Sequence, residues 1–242
     1  MQKFTKITSS IGPNSESKEV LLKMIKQGVD VCRLNFSHDT GEAQGAKIDL
    51  IRKISKEVGR PIAVLVDLQG PKHRIGNFET EDHYPIKFGQ KFVLDNDSTP
   101  GNSQRVQLPD TDVLNSLKVG ERILLNDGKI ELKVEKVSEN HIETIVIRGD
   151  EIWSRRGFNL PDTEVETSVL TQKDREDLEY ALRKNPDWVA ISFVQKPEDV
   201  EEVRDFISAR TSHPVKVLAK IERPNAIEKI TDIISVSDGI MI

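Results

Sequence analysis

Short apolar runs alternate with amphipathic helical segments at both ends of this chain, and that alternation limits the possible folds more than any other feature. Strands and helices in this order, joined by short connections, favour a parallel sheet or barrel. A complete eight-stranded barrel typically takes about 250 residues, and the pattern here yields six strands. We therefore predict an α/β fold with a parallel sheet or barrel, and an eight-stranded barrel would be incomplete here. The predicted strands cover residues 4–11, 29–36, 61–67, 187–193, 215–222 and 238–242.

The middle of the chain, from residue 72 to about residue 165, has a different pattern. It contains no convincing amphipathic helix, and its short alternating runs are typical of β-strands. Asn126, Asp127 and Gly128 lie between two such runs and predict a hairpin turn. We therefore predict a small β-rich domain over residues 71–165, inserted into the α/β sheet or barrel. Residues 1–70 form the first part of that sheet or barrel, and residues 166–242 form the second part.

Three helical segments are predicted in the second barrel part. The first begins with Thr171 as its cap and Asp174 three residues later, a variant of the capping box. The second opens with Pro197, which is favoured in the first turn of a helix. The third is predicted as one continuous helix over residues 225–234, "NAIEKITDII".

The composition of the chain is that of a globular protein and argues against several functions. A net charge of −5 provides no basic face for nucleic acid, and no apolar stretch approaches the ~18 residues that suggest a membrane-spanning helix. The start lacks the charged and apolar regions of a signal peptide. Cys32 is the single cysteine, so we expect no intrachain disulfide, a buried inert thiol and a cytoplasmic location.

Polar side chains follow the predicted strands where each strand ends. In parallel α/β folds, functional groups gather at the carboxyl ends of the strands because all those ends open on one face. Cations and carboxylates converging there suit an anionic, phosphorylated substrate held by Arg, Lys and a divalent metal. The side chains are Arg33, Asn35, Ser37 and His38 after the second strand, Asp67, Lys72 and Arg74 after the third, Ser192 in the fourth, and Lys220 and Glu222 in the fifth.

Each of these residues also has a purely structural interpretation. An arginine at a strand end is commonly a member of a surface ion pair, which contributes little stability. Asp67 can cap a turn, and Ser192 can simply satisfy its hydroxyl inside a buried strand. Lys220 and Glu222 can be solvated at a barrel rim. The histidines show no metal-ligand spacing, so a zinc site is not expected.

Several long motifs resemble those of the pyruvate kinase family, in the family's order and through essentially all 242 residues. The resemblance implies a TIM-type (β/α)8 barrel that is incomplete at its C-terminus and is interrupted after its third strand by a β-rich lid with a small β-barrel. In this interpretation residues 71–165 form the lid, and residues 166–242 form the second, truncated part of the barrel. It also implies a metal-dependent glycolytic phosphotransferase, which transfers the phosphoryl group of phosphoenolpyruvate to ADP and yields pyruvate and ATP. The motifs are "TKITSSIGPNSES", "RLNFSH", "DLQGPKHRIG", "NDGKIELKV", "GFNLP", "ISFVQKPEDV", "AKIERPNAI" and "SDGIMI".

The resemblance also implies roles for individual residues. Lys220 resembles the catalytic lysine that stabilises the moving phosphoryl group and the developing enolate. Glu222 resembles the ligand of a bridging Mg²⁺ or Mn²⁺, and Arg33 and Ser192 resemble the groups that bind the substrate phosphate. The implied contacts to the nucleotide, ADP or ATP, are Asn35, His38, Arg74 and Lys173, with Asp127 in the lid hairpin as a further contact on lid closure.

The stretch after the third predicted strand departs from many members of the family. Those members carry Thr-Lys after the aspartate and Glu after Gly-Pro, and they need K⁺. This chain has Leu68, Gln69 and Lys72 at those positions, which resembles the K⁺-independent branch. A tethered ammonium at Lys72 can supply the positive charge that K⁺ brings, so we predict activity without added K⁺. The side chains of a vestigial monovalent-cation site would be Asn35, Ser37 and Asp67.

Two classes of function stay open at this point. In the first, the chain is the N-terminal portion of a pyruvate kinase and carries its function in the complete protein, which in this family is a homo-oligomer, usually a tetramer. In the second, it is a non-catalytic truncated paralogue that binds phosphoenolpyruvate, nucleotide or a full-length subunit without turnover. Another metal-dependent barrel that handles phosphoenolpyruvate or pyruvate, such as a lyase, is disfavoured by the inserted lid and by the "GPKHRIG" turn.

Overall fold

The computed structural model describes residues 4–80, 83–126, 128–163, 165 and 168–242. The chain divides into two units, which we call the barrel unit and the inserted unit. The barrel unit comprises Met1–Pro71 and Ser168–Ile242, and the inserted unit comprises Lys72–Thr167. Each unit has a hydrophobic core of its own, which is the physical mark of an independent domain.

The first part of the barrel unit alternates strands and helices, and local signals set where the helices begin and end. Ser17 accepts a hydrogen bond from the Val20 amide at the start of the first helix. Thr40 accepts one from the Ala43 amide at the start of the second helix. Gly59 ends that helix in the left-handed conformation, with φ of 63°. The elements are β1 (Thr8–Ile11), α1 (Lys18–Lys26), β2 (Val31–Asn35), α2 (Gly41–Val58) and β3 (Ala63–Asp67).

The inserted unit consists mainly of short strands. They are β4 (Tyr84–Pro85), β5 (Lys91–Asp95), β6 (Arg105–Gln107), β7 (Arg122–Leu125), β8 (Ile130–Val137), β9 (His141–Arg148), β10 (Glu151–Ile152) and β11 (Phe158–Asn159), with helix α3 (Thr111–Ser116) between β6 and β7. Six strands form one sheet in the order β11-β7-β8-β9-β5-β6, and β4 pairs with β10. Strands β7 and β8 are antiparallel, with Leu125 opposite Ile130, which confirms the predicted hairpin. Asp127 lies outside the described residues.

The middle segment, whose sequence shows no convincing amphipathic helix, contains one short helix, α3. Asp110 caps this helix by accepting a hydrogen bond from the Val113 amide, and Val113 and Leu114 are buried. The helix has six residues, which is less than two turns. It therefore shows too little of the helical period for a hydrophobic pattern to reveal it.

The second part of the barrel unit resumes the alternation. The predicted capping box is confirmed, because Thr171 Oγ1 accepts from the Asp174 amide and Asp174 Oδ2 accepts from the Thr171 amide, both at 3.1 Å. Pro197 begins its helix as predicted. The elements are α4 (Gln172–Leu182), β12 (Trp188–Ile191), α5 (Pro197–Ser208), β13 (Lys216–Lys220), α6 (Pro224–Glu228), α7 (Ile230–Val236) and β14 (Gly239–Met241).

The single helix predicted over residues 225–234 is wrong, because the structure divides it into α6 and α7. Lys229, with φ of −103° and ψ of 15°, leaves helical geometry and separates the two helices. Both helices still bury a side chain, Ala226 in α6 and Ile233 in α7. These positions are seven apart, a spacing that keeps them on one face of a continuous helix, so the break leaves no trace in the hydrophobic period.

All six strands of the barrel unit are parallel and lie side by side in chain order, β1-β2-β3-β12-β13-β14. Successive side chains of a strand point to opposite faces. Cys32 and Leu34 belong to the core that the helices cover, whereas Arg33 lies on the other face. Asp67 stands opposite Asn35 on one side and Ala190 on the other. The predicted α/β barrel class is confirmed, and its polar residues lie at the carboxyl ends of the strands.

Two further sequence expectations concern Cys32 and membranes. Cys32 is buried, and burial raises the pKa of its thiol to about 11, which keeps the sulfur protonated and unreactive at neutral pH. Within the part of the chain that the structure describes, none of the helices combines the length and the apolar character needed to cross a bilayer.

Candidate active site

The central group of the candidate site is the carboxylate of Asp67, at the carboxyl end of β3. Its side chain is 1% exposed, and two cations from other strands bind it. Its Oδ2 accepts a hydrogen bond from Arg33 Nε at 2.6 Å and forms an ion pair with Arg33 Nη2 at 2.5 Å, while its Oδ1 lies 3.2 Å from Lys220 Nζ. A buried carboxylate needs such partners, because an unpaired charge in the interior is costly.

The ammonium of Lys220 is held by further polar groups of the barrel unit. Its Nζ donates to Ser192 Oγ at 2.7 Å and lies 3.4 Å from Glu222 Oε1. The Ser192 hydroxyl donates in turn to the Leu68 carbonyl oxygen at 2.9 Å, which leaves an oxygen lone pair for Lys220. The side chain of Lys220 is 15% exposed. The cation is therefore fixed by protein groups and still reaches solvent.

Glu222 is the residue of this cluster that fits a divalent metal ion. Its side chain is 34% exposed, and carboxylate oxygens are the ligands that Mg²⁺ and Mn²⁺ prefer. Asp67 fits less well, because both of its oxygens are bound by cations. Among the described residues, no three His, Cys, Asp or Glu side chains are grouped as in a metal site. A metal at Glu222 would therefore complete its shell with substrate oxygens and water, which is common for Mg²⁺.

The predicted residues Asn35, Ser37 and His38 lie at the end of β2, with Asn35 as its last residue and Ser37 and His38 in the loop that follows. Asn35 Oδ1 accepts a hydrogen bond from the Ser37 amide at 3.0 Å, and His38 is exposed. Lys173, on α4, donates to the Phe36 carbonyl oxygen at 2.6 Å and pairs with Asp177. The structure therefore brings Lys173 to the loop that carries Ser37 and His38, and gives it a role in holding that loop.

Gln44 also holds this loop, and sequence reasoning missed it. Its Nε2 donates to the Asn35 and His38 carbonyl oxygens, both at 3.0 Å, and the residue is 2% exposed. The signal was its position on α2. Gln44 shares a helical face with Ile48 and Ile51, which are buried, and a polar residue on the apolar face of a helix usually has a specific hydrogen-bonding task.

Gly70 lies where the barrel strand β3 gives way to the turn of "DLQGPKHRIG". Its φ is 69°, a conformation that L-residues with a Cβ adopt only at a cost. A Cβ at this position would lie 3.0 Å from Ser192 Cβ and 3.2 Å from the Ser192 carbonyl oxygen. Its amide donates to Asp174 Oδ1 at 3.2 Å. Only glycine therefore fits both the backbone conformation and the space beside Ser192.

We expect Gly70→Ala to lower the free energy of unfolding by about 2–3 kcal/mol, of which about 1–2 kcal/mol is the cost of the left-handed backbone. Urea unfolding measures this change in the free energy of unfolding. Gly59→Ala is the matched control, because Gly59 has φ of 63° with nothing within 4 Å of its added Cβ. Equal losses for the two variants would contradict the packing argument.

Four exposed cations of the inserted unit lie in the two segments that the bridge between Arg74 and Gly157 joins. Arg74 Nη1 donates to the Arg155 carbonyl oxygen at 2.8 Å, and Arg156 lies 5.2 Å from the Trp153 ring. None of the four forms an ion pair with a described residue, whereas Arg105, Arg122 and Arg148 of this unit do. The sequence interpretation included two of them and missed the adjacent arginines of "SRRG". The four cations are Lys72, Arg74, Arg155 and Arg156.

Comparison with known proteins decides the family. The family model described as "Pyruvate kinase, barrel domain" matches residues 2–242. The chain belongs to the pyruvate kinase family. The family resemblance read from "RLNFSH", "AKIERPNAI" and the other motifs is thereby confirmed, and the incomplete barrel with its β-rich insertion is that of a pyruvate kinase.

Individual pyruvate kinases match over nearly the whole chain. The enzyme of Methylorubrum extorquens is 45% identical over 238 residues, and one from Staphylococcus aureus is 34% identical over 240 residues, each match covering 98% of this chain. A crystal structure of a pyruvate kinase from Cryptosporidium parvum superposes with a TM-score of 0.91 at 32% identity, over 98% of this chain and 50% of that one. The chain spans about half the length of the relatives it matches, 49% and 41% for the two bacterial proteins.

Proposed function

We propose that this chain carries the phosphoenolpyruvate-binding groups of a pyruvate kinase, which transfers a phosphoryl group from phosphoenolpyruvate to ADP and yields pyruvate and ATP. The observation that supports this most is the Asp67 cluster. Arg33 on β2 and Lys220 on β13 bind one buried carboxylate, and Ser192, directly after β12, accepts a hydrogen bond from Lys220. Such preorganisation suits electrostatic stabilisation of a transferring phosphoryl group.

Lys220 is proposed as the catalytic group of this cluster. Its ammonium is held by Ser192 and Asp67, so it does not have to reorganise when negative charge develops on the phosphoryl and enolate oxygens. Arg33 is proposed to bind the substrate phosphate. Its guanidinium uses Nε and Nη2 on Asp67 and donates from Nη1 to Ser10 Oγ at 2.6 Å, which fixes its plane, and guanidinium groups match the geometry of phosphate oxygens.

A divalent metal ion is part of the proposal, because the charges of the cluster balance without it. Arg33 and Lys220 contribute two positive charges, and Asp67 and Glu222 contribute two negative charges. Mg²⁺ or Mn²⁺ bound by Glu222 would make the cluster positive and would polarise phosphoryl oxygens when bound. Phosphoenolpyruvate is an anion, so its binding is expected to depend on that metal.

The nucleotide contacts proposed for each unit stay predictions. In the barrel unit they are Asn35 at the end of β2 and His38 on the loop that Gln44 and Lys173 hold, and Lys173 itself is proposed only as a weaker contact because its ammonium is engaged. In the inserted unit they are Arg74 and Asp127, to which we add the exposed cations Arg155 and Arg156. Exposed arginines that form no ion pair with a described residue are suited to phosphate groups. A glycolytic, cytoplasmic homo-oligomer is the setting that the family implies.

A non-catalytic binding role is the second candidate, because the chain covers only 49% of the length of the Methylorubrum extorquens enzyme. One experiment separates the two. Pyruvate formation is coupled to NADH oxidation in the presence of phosphoenolpyruvate, ADP and Mg²⁺, and phosphoenolpyruvate binding is measured by calorimetry on the same sample. Turnover that needs all three components supports the kinase. Binding without turnover supports the second candidate, and absence of both contradicts the two together.

We expect the activity to be independent of K⁺. Asn35 Oδ1 already accepts the Ser37 amide, and both Asp67 oxygens are bound by cations, so the side chains of the proposed vestigial site have little capacity left for an ion. The rate is expected to stay the same when K⁺ replaces Na⁺. Lys72→Glu is expected to make the rate depend on K⁺, because it removes the tethered ammonium.

The control for this prediction is Lys87→Glu, which reverses the charge of another exposed lysine of the inserted unit. It is expected to leave the rate independent of K⁺. A wild-type rate that rises many-fold on replacing Na⁺ or Tris⁺ by K⁺ would contradict the role given to Lys72.

A further inference from the structure

Arg223 is a buried cation that the proposed mechanism does not use. It follows Glu222 directly and is 5% exposed, although arginine is among the residues that are seldom fully buried without partners. Burial lowers the pKa of its guanidinium, and arginine nevertheless stays charged at neutral pH. Burying a charged guanidinium costs free energy, so specific interactions are expected to keep Arg223 in this position.

The contacts of Arg223 join two loops of the barrel unit. Its Nη1 donates to Gln195 Oε1 at 3.3 Å, and its guanidinium carbon lies 5.6 Å from the centre of the Phe193 ring. Asn225 Nδ2 donates to the same Gln195 oxygen at 3.0 Å. The loop after β12 and the loop after β13 are therefore tied together by one amide oxygen and one cation–π contact.

Phe193 lies in this junction in a strained conformation. Its φ is 62°, and a non-glycine residue with a left-handed backbone costs roughly 1–2 kcal/mol. In that conformation its amide donates to Glu222 Oε2 at 2.9 Å. The residue before it is Ser192, which holds Lys220. Strain of this kind persists only when the surroundings hold it in place.

Two carboxylates favour the charged form of Arg223. The negative charges of Asp199 and Glu222 raise the pKa of its guanidinium and partly offset the lowering that burial causes. Asp199 is 5% exposed and accepts hydrogen bonds from the Gln195 amide at 2.7 Å and the Lys196 amide at 3.2 Å. Removing Arg223 would therefore leave one buried and one partly exposed carboxylate without the cation they share.

We propose that Arg223 is a positioning residue for the metal ligand Glu222. By packing on the Phe193 ring, it keeps Phe193 in the left-handed conformation, and the Phe193 amide then fixes Glu222 Oε2 in one orientation. The inference rests on the proposed function, in which Glu222 binds the divalent metal. Groups that orient a metal ligand commonly change metal affinity about 10–100-fold when they are removed.

The test measures Mn²⁺ binding by electron paramagnetic resonance, which needs no turnover. Arg223→Met is expected to raise the Kd for Mn²⁺ about 10-fold. The Kd of Arg223→Lys for Mn²⁺ is expected to lie between those of Arg223→Met and the wild type, because lysine keeps the positive charge but lacks the planar guanidinium group. Arg60→Met is the control, since Arg60 lies in the same unit and bonds to Asp30 and to the Val29 carbonyl oxygen, without contact to Glu222.

A double variant tests the mechanism itself. Glycine adopts positive φ at little cost, so Phe193→Gly combined with Arg223→Met is expected to bind Mn²⁺ more tightly than Arg223→Met alone. Failure of this rescue would overturn the proposal, and so would wild-type affinity in Arg223→Met or equal weakening by Arg60→Met. If Arg223→Met does not fold, the same comparison of Mn²⁺ affinity is made between Arg223→Lys alone and Arg223→Lys combined with Phe193→Gly.

Failure of the proposed function gives a different result. In that case Glu222→Gln binds Mn²⁺ as tightly as the wild type, because Glu222 is then no metal ligand. Weakening by Glu222→Gln together with wild-type affinity in both Arg223 variants overturns the positioning role alone.

Discussion

Replacing Lys220 by methionine is expected to lower the rate of phosphoryl transfer by about 10²–10³-fold, the usual cost of losing one preorganised group that stabilises transition-state charge. Methionine keeps much of the length and apolar volume of the side chain but cannot donate to Ser192 or offset charge on a phosphoryl oxygen. The coupled pyruvate assay measures the rate. Because the contribution is confined to the transition state, kcat is expected to fall far more than the affinity for phosphoenolpyruvate changes.

The control for Lys220 lies on the same strand. Lys216 begins β13, is exposed, and contacts the Trp188 ring at 5.2 Å. Lys216→Met removes an identical charge from the amino end of the strand, away from the Asp67 cluster, and its rate is expected to match that of the wild type. Similar losses for the two lysines, or a Lys220→Met rate close to the wild-type rate, would contradict the catalytic role.

Asp67→Asn is expected to lower the free energy of unfolding by about 3–5 kcal/mol, the typical cost of removing one partner of a buried ion pair. Asp67 is 1% exposed and binds both Arg33 and Lys220, so the neutral amide leaves two positive charges facing each other with no anion between them. Urea unfolding measures the change. The affinity for phosphate groups is a second readout and is expected to change as well, because the two cations lose the anchor that sets their positions.

An exposed ion pair provides the comparison for Asp67. The side chain of Asp49 is 60% exposed, and its Oδ2 lies 2.6 Å from Lys184 Nζ. Exposed ion pairs of this kind contribute at most about 1 kcal/mol to the free energy of unfolding. Asp49→Asn therefore makes the same chemical change as Asp67→Asn, but it is expected to lower the free energy of unfolding only slightly. An Asp67→Asn protein that unfolds at the wild-type urea concentration would show that the two cations do not need their shared carboxylate.

The barrel was predictable because its signals are local. Each strand is a short apolar run, the helices are capped by Ser17, Thr40 and Thr171, and parallel strands necessarily place their carboxyl ends on one face. That is why Arg33, Asp67 and Lys220 were grouped correctly before any distance was known. The same reasoning treated the purely structural and the functional interpretations of Ser192 as alternatives, whereas the structure has Ser192 both bonded to the Leu68 carbonyl oxygen and bound to Lys220.

The parts that were not predictable depend on neighbours distant in sequence or on elements too short to show a period. The contacts of Gln44 with the loop after β2 and of Arg223 with Phe193 are set by packing. The left-handed conformation of Phe193 was not predictable, because the residues that usually adopt it are glycine and asparagine. Helix α3 and the break at Lys229 are local, but each is shorter than the window that a hydrophobic pattern requires.

The direct pairing of β3 with β12 has a consequence for how the chain folds. Every other neighbouring pair in the barrel sheet is joined by a short crossover, but Ser192 and Leu68 are 124 positions apart. Closing so long a flexible loop is entropically unfavourable. The inserted unit removes most of that cost once it is folded, because its own first and last segments pair, through the bridge between Arg74 and Gly157 and the bond from the Phe158 amide to the His73 carbonyl oxygen. We therefore expect the inserted unit to fold first and to bring its two ends together. The docking of β12 on β3 is then expected to be rapid only after the inserted unit has folded.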